Sequence, residues 1–312
     1  MRFSSSAEAL RADKGGRRFA NASLAGLLPY LWLLVFFLIP FLIVLKISLS
    51  TAFYGQPPYE PSFDLSEGFA ATVEKAKSLS FDNFLFLASD SLYWRAYLSS
   101  LELAAVSTII TLLIGFPIAH AMARAPRGVR PLLVALVIMP FWTSFLIRIY
   151  AWIGILKREG LLNALLLDIG AITEPLNILN TNGAVLIGIV YGYLPFMVLP
   201  LYAALERQDP ALLEAASDLG SPPWLAFWQV TVRLAVPGIV AGSLLVFIPA
   251  VGEFVIPSLL GGSNTLMIGQ TLWDEFFLNH DWPLASAVAI VLLVVLVVPI
   301  TLFQRAQSRQ AE

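Results

Sequence analysis

Charge is what this sequence has least of. Only 13% of its residues are Asp, Glu, Lys or Arg, about half the share of a soluble globular chain, while 58% are hydrophobic. With a mean hydropathy of +0.78, that balance excludes a water-facing surface over most of the chain and implies an all-α, polytopic membrane protein. Cysteine is absent, which excludes disulfide staples and thiolate metal sites. Histidine occurs only at 120 and 280, far apart and without metal-ligand spacing. No G-x-x-x-x-G-K-[ST] run is present, so the chain lacks the loop that cradles nucleotide phosphates. No nucleophile–base set stands at a recognisable spacing either, and an enzyme reading finds no support. The net charge of −2 offers no positive field for nucleic acid.

What is there is oil in blocks. A spanning helix takes about 20 mostly apolar residues. On that basis six spans are expected, at about 27–47, 97–119, 131–156, 184–204, 237–260 and 283–303, forming a transmembrane domain over 27–303. A basic tail, 1–26, precedes them. Its following apolar run is longer than a signal-peptide core, and no small-residue cleavage pattern follows, so a retained first span is expected. A short tail, 304–312, closes the chain. If the first tail is cytoplasmic, the inner segments hold twelve Lys and Arg and the outer ones five. The positive-inside rule then places both termini in the cytoplasm. Arg124, Arg127 and Arg130, in one short loop, are the strongest single indication. The outer segments, of which 50–96 is the longest, carry twelve acids. Base depletion outside accounts for this without a ligand; a cation-attracting vestibule is the alternative.

One polar interruption stands out: EAASDLGSPPWLAFWQVTVR, residues 214–233, within an inner segment 205–236. Asp209-Pro210 is a helix start, Asp as N-cap and Pro where no donor is needed. Leu212, Ala215, Ala216 and Leu219 then make one apolar stripe. Gly220 suits the left-handed residue after a helix, and Ser221-Pro222 repeats the start signal. Leu225, Trp228 and Val232 stripe a second helix. The expectation is a cytoplasmic elbow of two short helices. Glu214 and Asp218 repel one another at i, i+4, and no base lies between Arg207 and Arg233. A helix lying on lipid normally carries Lys or Arg on its polar face, so an acidic elbow points to a basic protein partner.

Glu214-Ala215-Ala216 followed by Gly220 resembles the EAA loop of ABC importer permeases. The runs PFWTSFLIRIYAWIGIL (140–156), GIVYGYLPFMVLP (188–200), VFIPAVGEFVIPSLLGG (246–262) and DWPLASAVAI (281–290) closely resemble the putrescine/spermidine-type permeases, over about residues 85–303. The resemblance implies a type I ABC importer permease fold in a bacterial inner membrane. It implies that Glu214, Ala215, Ala216, Asp218 and Gly220 couple to an ATPase. It further implies a second related permease, two ATPase subunits that bind Mg-ATP, and a periplasmic binding protein, with no cofactor in this chain. In one respect the chain departs from the pattern: Arg233 stands where the family has proline, leaving the exit into the fifth span open, with Pro237 as a substitute stop.

A small cationic solute such as putrescine or spermidine needs carboxylates and aromatic faces along its path, the latter worth ~0.5–2 kcal/mol per cation–π contact. Four charges fall within the spans: Lys46, Glu102, Arg148 and Glu253. Lys46 lies near a span end and is expected to snorkel. Glu253 is seven residues from the outer end of span five, about 10 Å at a rise of ~1.5 Å per residue, and Glu102 is about 7 Å deep. Pro249, Gly252 and Pro257 bracket Glu253, and broken backbone is tolerated where it lines a cavity or is buried in protein. Arg148 is expected to pair with an acid, Glu253 or Glu102, so each of these carboxylates either contacts the solute or has that structural role. Glu253, Trp142, Tyr150 and Glu102 are therefore the candidate path, with Tyr191, Tyr193 and Trp152 as packing or belt residues. Asp274, Glu275 and Asp281 are candidates to face the binding protein. Gly188/Gly192 and Gly238/Gly242 allow close helix contacts. The same architecture serves other small solutes. A different class, an ATP-independent channel or secondary carrier, has no use for the acidic elbow.

Overall fold

The computed structural model describes residues 27, 29–63 and 74–311; side chains at 298–299 and 302–311 are excepted. The basic tail, and Asp64 and Glu67 of the first outer segment, lie outside the described residues. The described residues divide into two compact units, those up to 85 with 280–291, and 86–279 with 292–311.

In the first unit the helix α1 (Pro29–Ser48) is apolar on every side, and only 6% of its most hydrophobic stretch is buried within the chain. A helix hydrophobic all round belongs in lipid or against another subunit. Its end is tied down by polar contacts. Asn83 Nδ2 donates to the carbonyls of Ser48 and Ser50 at 2.9 and 2.7 Å. Two short strands, β1 (Thr51–Ala52) and β2 (Tyr59–Glu60), pair antiparallel beyond it. Lys46 reaches into the segment beyond the helix: its Nζ donates to the Pro61 carbonyl and lies 4.2 and 4.7 Å from the Tyr59 and Phe63 ring centres.

The second unit is built on three long helices: α3 (Ser91–Arg124), α7 (Asn182–Glu206) and α9 (Pro223–Val251). The short helix α2 (Asp82–Ser89) leads into α3, whose start is capped by Asp90 accepting from the Leu92 amide at 2.8 Å. The core packs Ala119, Met122 and Ala123 of α3 against Met197, Val198, Leu201 and Leu205 of α7, with Ala235 and Val246 of α9. Small residues set the spacing. A Cβ on Gly238 would lie 2.6 Å from Ala204 Cβ and 2.8 Å from the Pro200 carbonyl oxygen, and one on Gly242 would meet Met197 Sδ at 2.8 Å. Lipid gives apolar helices no reason to associate beyond packing, so close backbone approach is what holds them.

Two expected spans are broken. The third is two segments, α4 (Arg130–Ile138, extended by a 3₁₀ turn to Trp142) and α5 (Phe145–Leu156, continued by α6, Leu161–Asp168), bent by 86°. Thr143 is extended, and its Oγ1 and backbone amide both donate to the Pro140 carbonyl, at 2.8 and 3.4 Å, closing the turn at the break. The fifth span ends at Val251, and a short α10 (Val255–Leu260) follows after Gly252-Glu253-Phe254. Beyond it come α11 (Ile268–Trp273), a π-turn Asp274–Leu278, and α12 (Trp282–Ala311). Among the described residues four helices are long and apolar enough to cross a membrane, five if the bent pair is one span, and the apolar part of α12, Trp282–Val297, is shorter. The six expected segments thus fall on four long helices, one bent pair and one shorter apolar helix. Hydropathy averages over a window and does not register a two-residue break inside an apolar run.

Candidate functional site

The elbow begins as expected. Asp209 Oδ1 accepts from the Ala211 amide at 3.0 Å, and α8 (Ala211–Asp218) follows. It ends on Gly220, whose φ is +78°, with Ser221 N donating to Ala216 O at 3.0 Å and Gly220 N to Ser217 O at 2.9 Å. These two bonds form the six-to-one and five-to-two closure that needs a left-handed residue. Nothing lies within 4 Å of where a Cβ would sit, so the glycine is there for its backbone alone.

The second arm differs from expectation. It starts one residue later, at Pro223, and is not a separate helix. Residues 223–226 run through a π-turn, Phe227–Val232, directly into the fifth span. Arg233 is helical, at φ −62° and ψ −42°, and Pro237 lies inside the helix. The substitution of arginine for the family's proline thus leaves the exit continuous. A π-turn shifts the hydrogen-bond ladder, and Gln208 Nε2 donates to the Thr231 carbonyl at 2.9 Å, tying the end of α7 to that turn. The two stripes do not face the core. Leu219 is 89% exposed and Trp224 70%, and Leu212 and Trp228 are also open. Glu214 and Asp218 are exposed and have no partner among the described residues. Acids therefore lie beside large apolar groups left open on the same elbow.

At the far end of α9 sits Glu253, 7% exposed. Its Oε1 accepts from the amides of Val255 and Ile256 at 3.0 and 3.4 Å, capping α10, and its Oε2 accepts from Tyr193 Oη at 2.5 Å. One side chain closes the break and joins it to α7. Arg148, 8% exposed, lies over the Phe141 and Phe145 rings at 4.9 and 5.7 Å, and its Nε is buried without a partner. Among the described residues no ion pair joins Arg148 to Glu253. Tyr193, read from sequence as packing, holds the carboxylate instead. The clue was present in principle: a phenol inside an apolar helix needs an acceptor. Trp142 is 76% exposed, Tyr150 58%, and Glu102 is exposed on α3. Among the described residues no hydrogen bond or ring contact joins these three to Glu253.

The acids after α11 carry local duties. Glu275 accepts from Tyr93 Oη at 2.7 Å and from Asn279 Nδ2 at 2.8 Å. Partial burial and the neighbouring Glu275 raise the Asp274 carboxyl above its ordinary range. Asp281 accepts from the Leu284 amide at 3.0 Å, at the start of α12. Trp273 stacks on Phe254, with ring centres 4.4 Å apart, which ties α11 to the break beside Glu253. Among the described residues no His, Cys, Asp and Glu cluster could hold a metal.

The chain is 42% identical over 281 residues to the spermidine/putrescine transport system permease protein PotB of Haemophilus influenzae, covering 89% of this chain and 91% of that one. It is 40% identical over 275 residues to PotB of Escherichia coli K12, covering 88% and 94%. Among solved structures, a bacterial ABC transporter involved in import of the acidic polysaccharide alginate aligns at a TM-score of 0.67. The alignment covers 96% of this chain and 99% of that one, at 20% identity. The inward-facing MetNI methionine ABC transporter aligns at 0.51, over 70% and 94%, at 19% identity. Both show the same fold, that of a type I importer permease. The family profile of binding-protein-dependent transport system inner membrane components matches residues 104–311, and the chain belongs to that family.

Proposed function

We propose that the chain is one of two permeases in an ATP-driven importer, and that it carries a polyamine such as spermidine or putrescine. The observation that carries this reading is the 42% identity, over nine-tenths of both chains, to a permease of that name. A second related permease would complete the path. Two ATPase subunits, binding Mg-ATP, would meet the elbow, since this chain has no phosphate-binding loop of its own. A periplasmic protein would deliver the solute; the alginate transporter has been solved with its periplasmic protein bound. The charge asymmetry favours both termini in the cytoplasm of a bacterial inner membrane.

The ATPases would grip Glu214, Ala215, Ala216, Asp218 and Gly220 together with the exposed Leu219 and Trp224. Because the second arm is continuous with α9, a displacement at the elbow would be delivered along about 43 Å of helix, at ~1.5 Å per residue, to the break at Glu253. A dication reaching the break would compete with Tyr193 for the Glu253 carboxylate. Trp142, Tyr150 and Glu102 would serve on the approach, and Asp274, Glu275 and Asp281 at the outer mouth. An ion pair of Glu253 with Arg148 would belong to the conformation in which Tyr193 has let go.

The test is the assembled complex in proteoliposomes with its binding protein. Putrescine or spermidine should stimulate ATP hydrolysis and accumulate inside. Stimulation by an unrelated solute and none by polyamines would overturn the substrate; uptake unaffected by removing the ATPases would overturn the coupling.

A further inference from the structure

The loop of Arg124, Arg127 and Arg130 has chemistry left over once the fold is formed. Arg130 is committed: its Nε donates to the Ala125 carbonyl at 2.9 Å, and its Nη1 lies 3.2 Å from Glu206 Oε1. The nearby Asp209 carboxylate caps α8. Both acids at this place are thus engaged, yet Arg124 and Arg127 have neither hydrogen bond nor ion pair among the described residues. Arg124 ends α3, where the helix dipole favours a cation for local reasons. Arg127 has no such reason.

Both face a cavity of about 350 Å³ whose other walls include Gln208, Asp209, Leu213 and Val230, the roots of both elbow arms. A second cavity of about 500 Å³ shares Arg127, Arg130 and Glu206 with the first, and its remaining walls are Pro131, Val134 and Tyr202. A cationic chamber therefore adjoins a largely apolar one, at the ends of α3 and α7. Small-ligand sites have volumes of ~300–1,000 Å³, so each chamber is of useful size.

We propose that this double cavity binds a phosphate group carried by an anionic phospholipid. Guanidinium groups match phosphate oxygens two bonds at a time, and basic pockets between transmembrane helices suit lipid head groups. The phosphate lies against Arg124 and Arg127, and the glycerol and first methylenes run past Pro131, Val134 and Tyr202. A free phosphate fills the first chamber and leaves the second without an occupant, which favours the lipid. The binding does not depend on which solute the protein carries.

The experiment uses the full-length chain in phosphatidylcholine nanodiscs, titrated with phosphatidylglycerol and, separately, with inorganic phosphate, bound molecules being counted by native mass spectrometry. Wild type should hold phosphatidylglycerol at least about tenfold more tightly than the Arg124→Gln/Arg127→Gln double variant, whose thermal midpoint should be unchanged. Glu206→Gln, which releases Arg130 and removes a negative charge, should tighten binding. Arg233→Gln, a base outside the cavity, should leave it unaltered. Equal binding by wild type and the double variant, or an equal loss in Arg233→Gln, would overturn the site. Arginine-dependent binding of inorganic phosphate without any of phosphatidylglycerol would overturn the lipid assignment.

Discussion

The acids of α8, which precedes α9, and Glu253, just beyond its end, stand in opposite situations. On one side Glu214 and Asp218 are exposed and, among the described residues, without partners, beside the open Leu219 and Trp224. On the other, Glu253 is buried and accepts three hydrogen bonds from its own chain. The exposed acids cost the folded chain little and are free to recognise something else. The buried one is part of the structure, and any ligand must displace a bond to reach it. One helix thus joins a surface specialised for a partner to a site whose state depends on internal bonding.

Substitutions at the two places should separate these roles. The largest effect expected is on transport: Glu214→Arg should lower ATP-coupled uptake by ~100-fold or more, since charge reversal at an interface costs several kcal/mol. Its thermal midpoint should not move, and normal uptake would remove the elbow from the coupling scheme. Glu253→Ala should do the reverse in stability. It strands a phenol and two amides in a buried place and should cost roughly 3 kcal/mol, read as a fall in the unfolding midpoint of the purified protein. Gly238→Val, midway along α9, should cost about 2 kcal/mol, because its Cβ meets the α7 backbone at Pro200. An unchanged midpoint would mean the helices are looser than described. Tyr193→Phe removes one bond to Glu253 and should cost about 1 kcal/mol while raising affinity for a dication, if the phenol competes with it. Gln208→Leu should be the mildest, at ~1 kcal/mol or less in stability, with coupled uptake reduced more than ATP hydrolysis.

The elbow was the most legible part of the site. Asp209, Gly220 and the paired prolines are local signals, and their geometry follows from chain stereochemistry over a few residues. The second arm was less so, because nothing between Phe227 and Val232 marks a π-turn in a helix that simply continues. The partner of Glu253 was not legible: two donors come from its own chain neighbours, but Tyr193 is 60 residues away in sequence. Arg148 looked like the natural counter-charge on grounds of sign, yet its guanidinium stacks on Phe141 and Phe145.

Composition and spacing were enough to establish a membrane-embedded helical protein and an acidic elbow closed by Gly220. These follow from solvent preference and short-range backbone geometry, which a linear chain carries in its residue order. Packing alone settled where the third and fifth spans break, which donor holds Glu253, and which arginines of the loop are left unpaired. Those outcomes depend on which groups from distant segments reach one another first and satisfy each other's hydrogen bonds, and no local pattern encodes that competition.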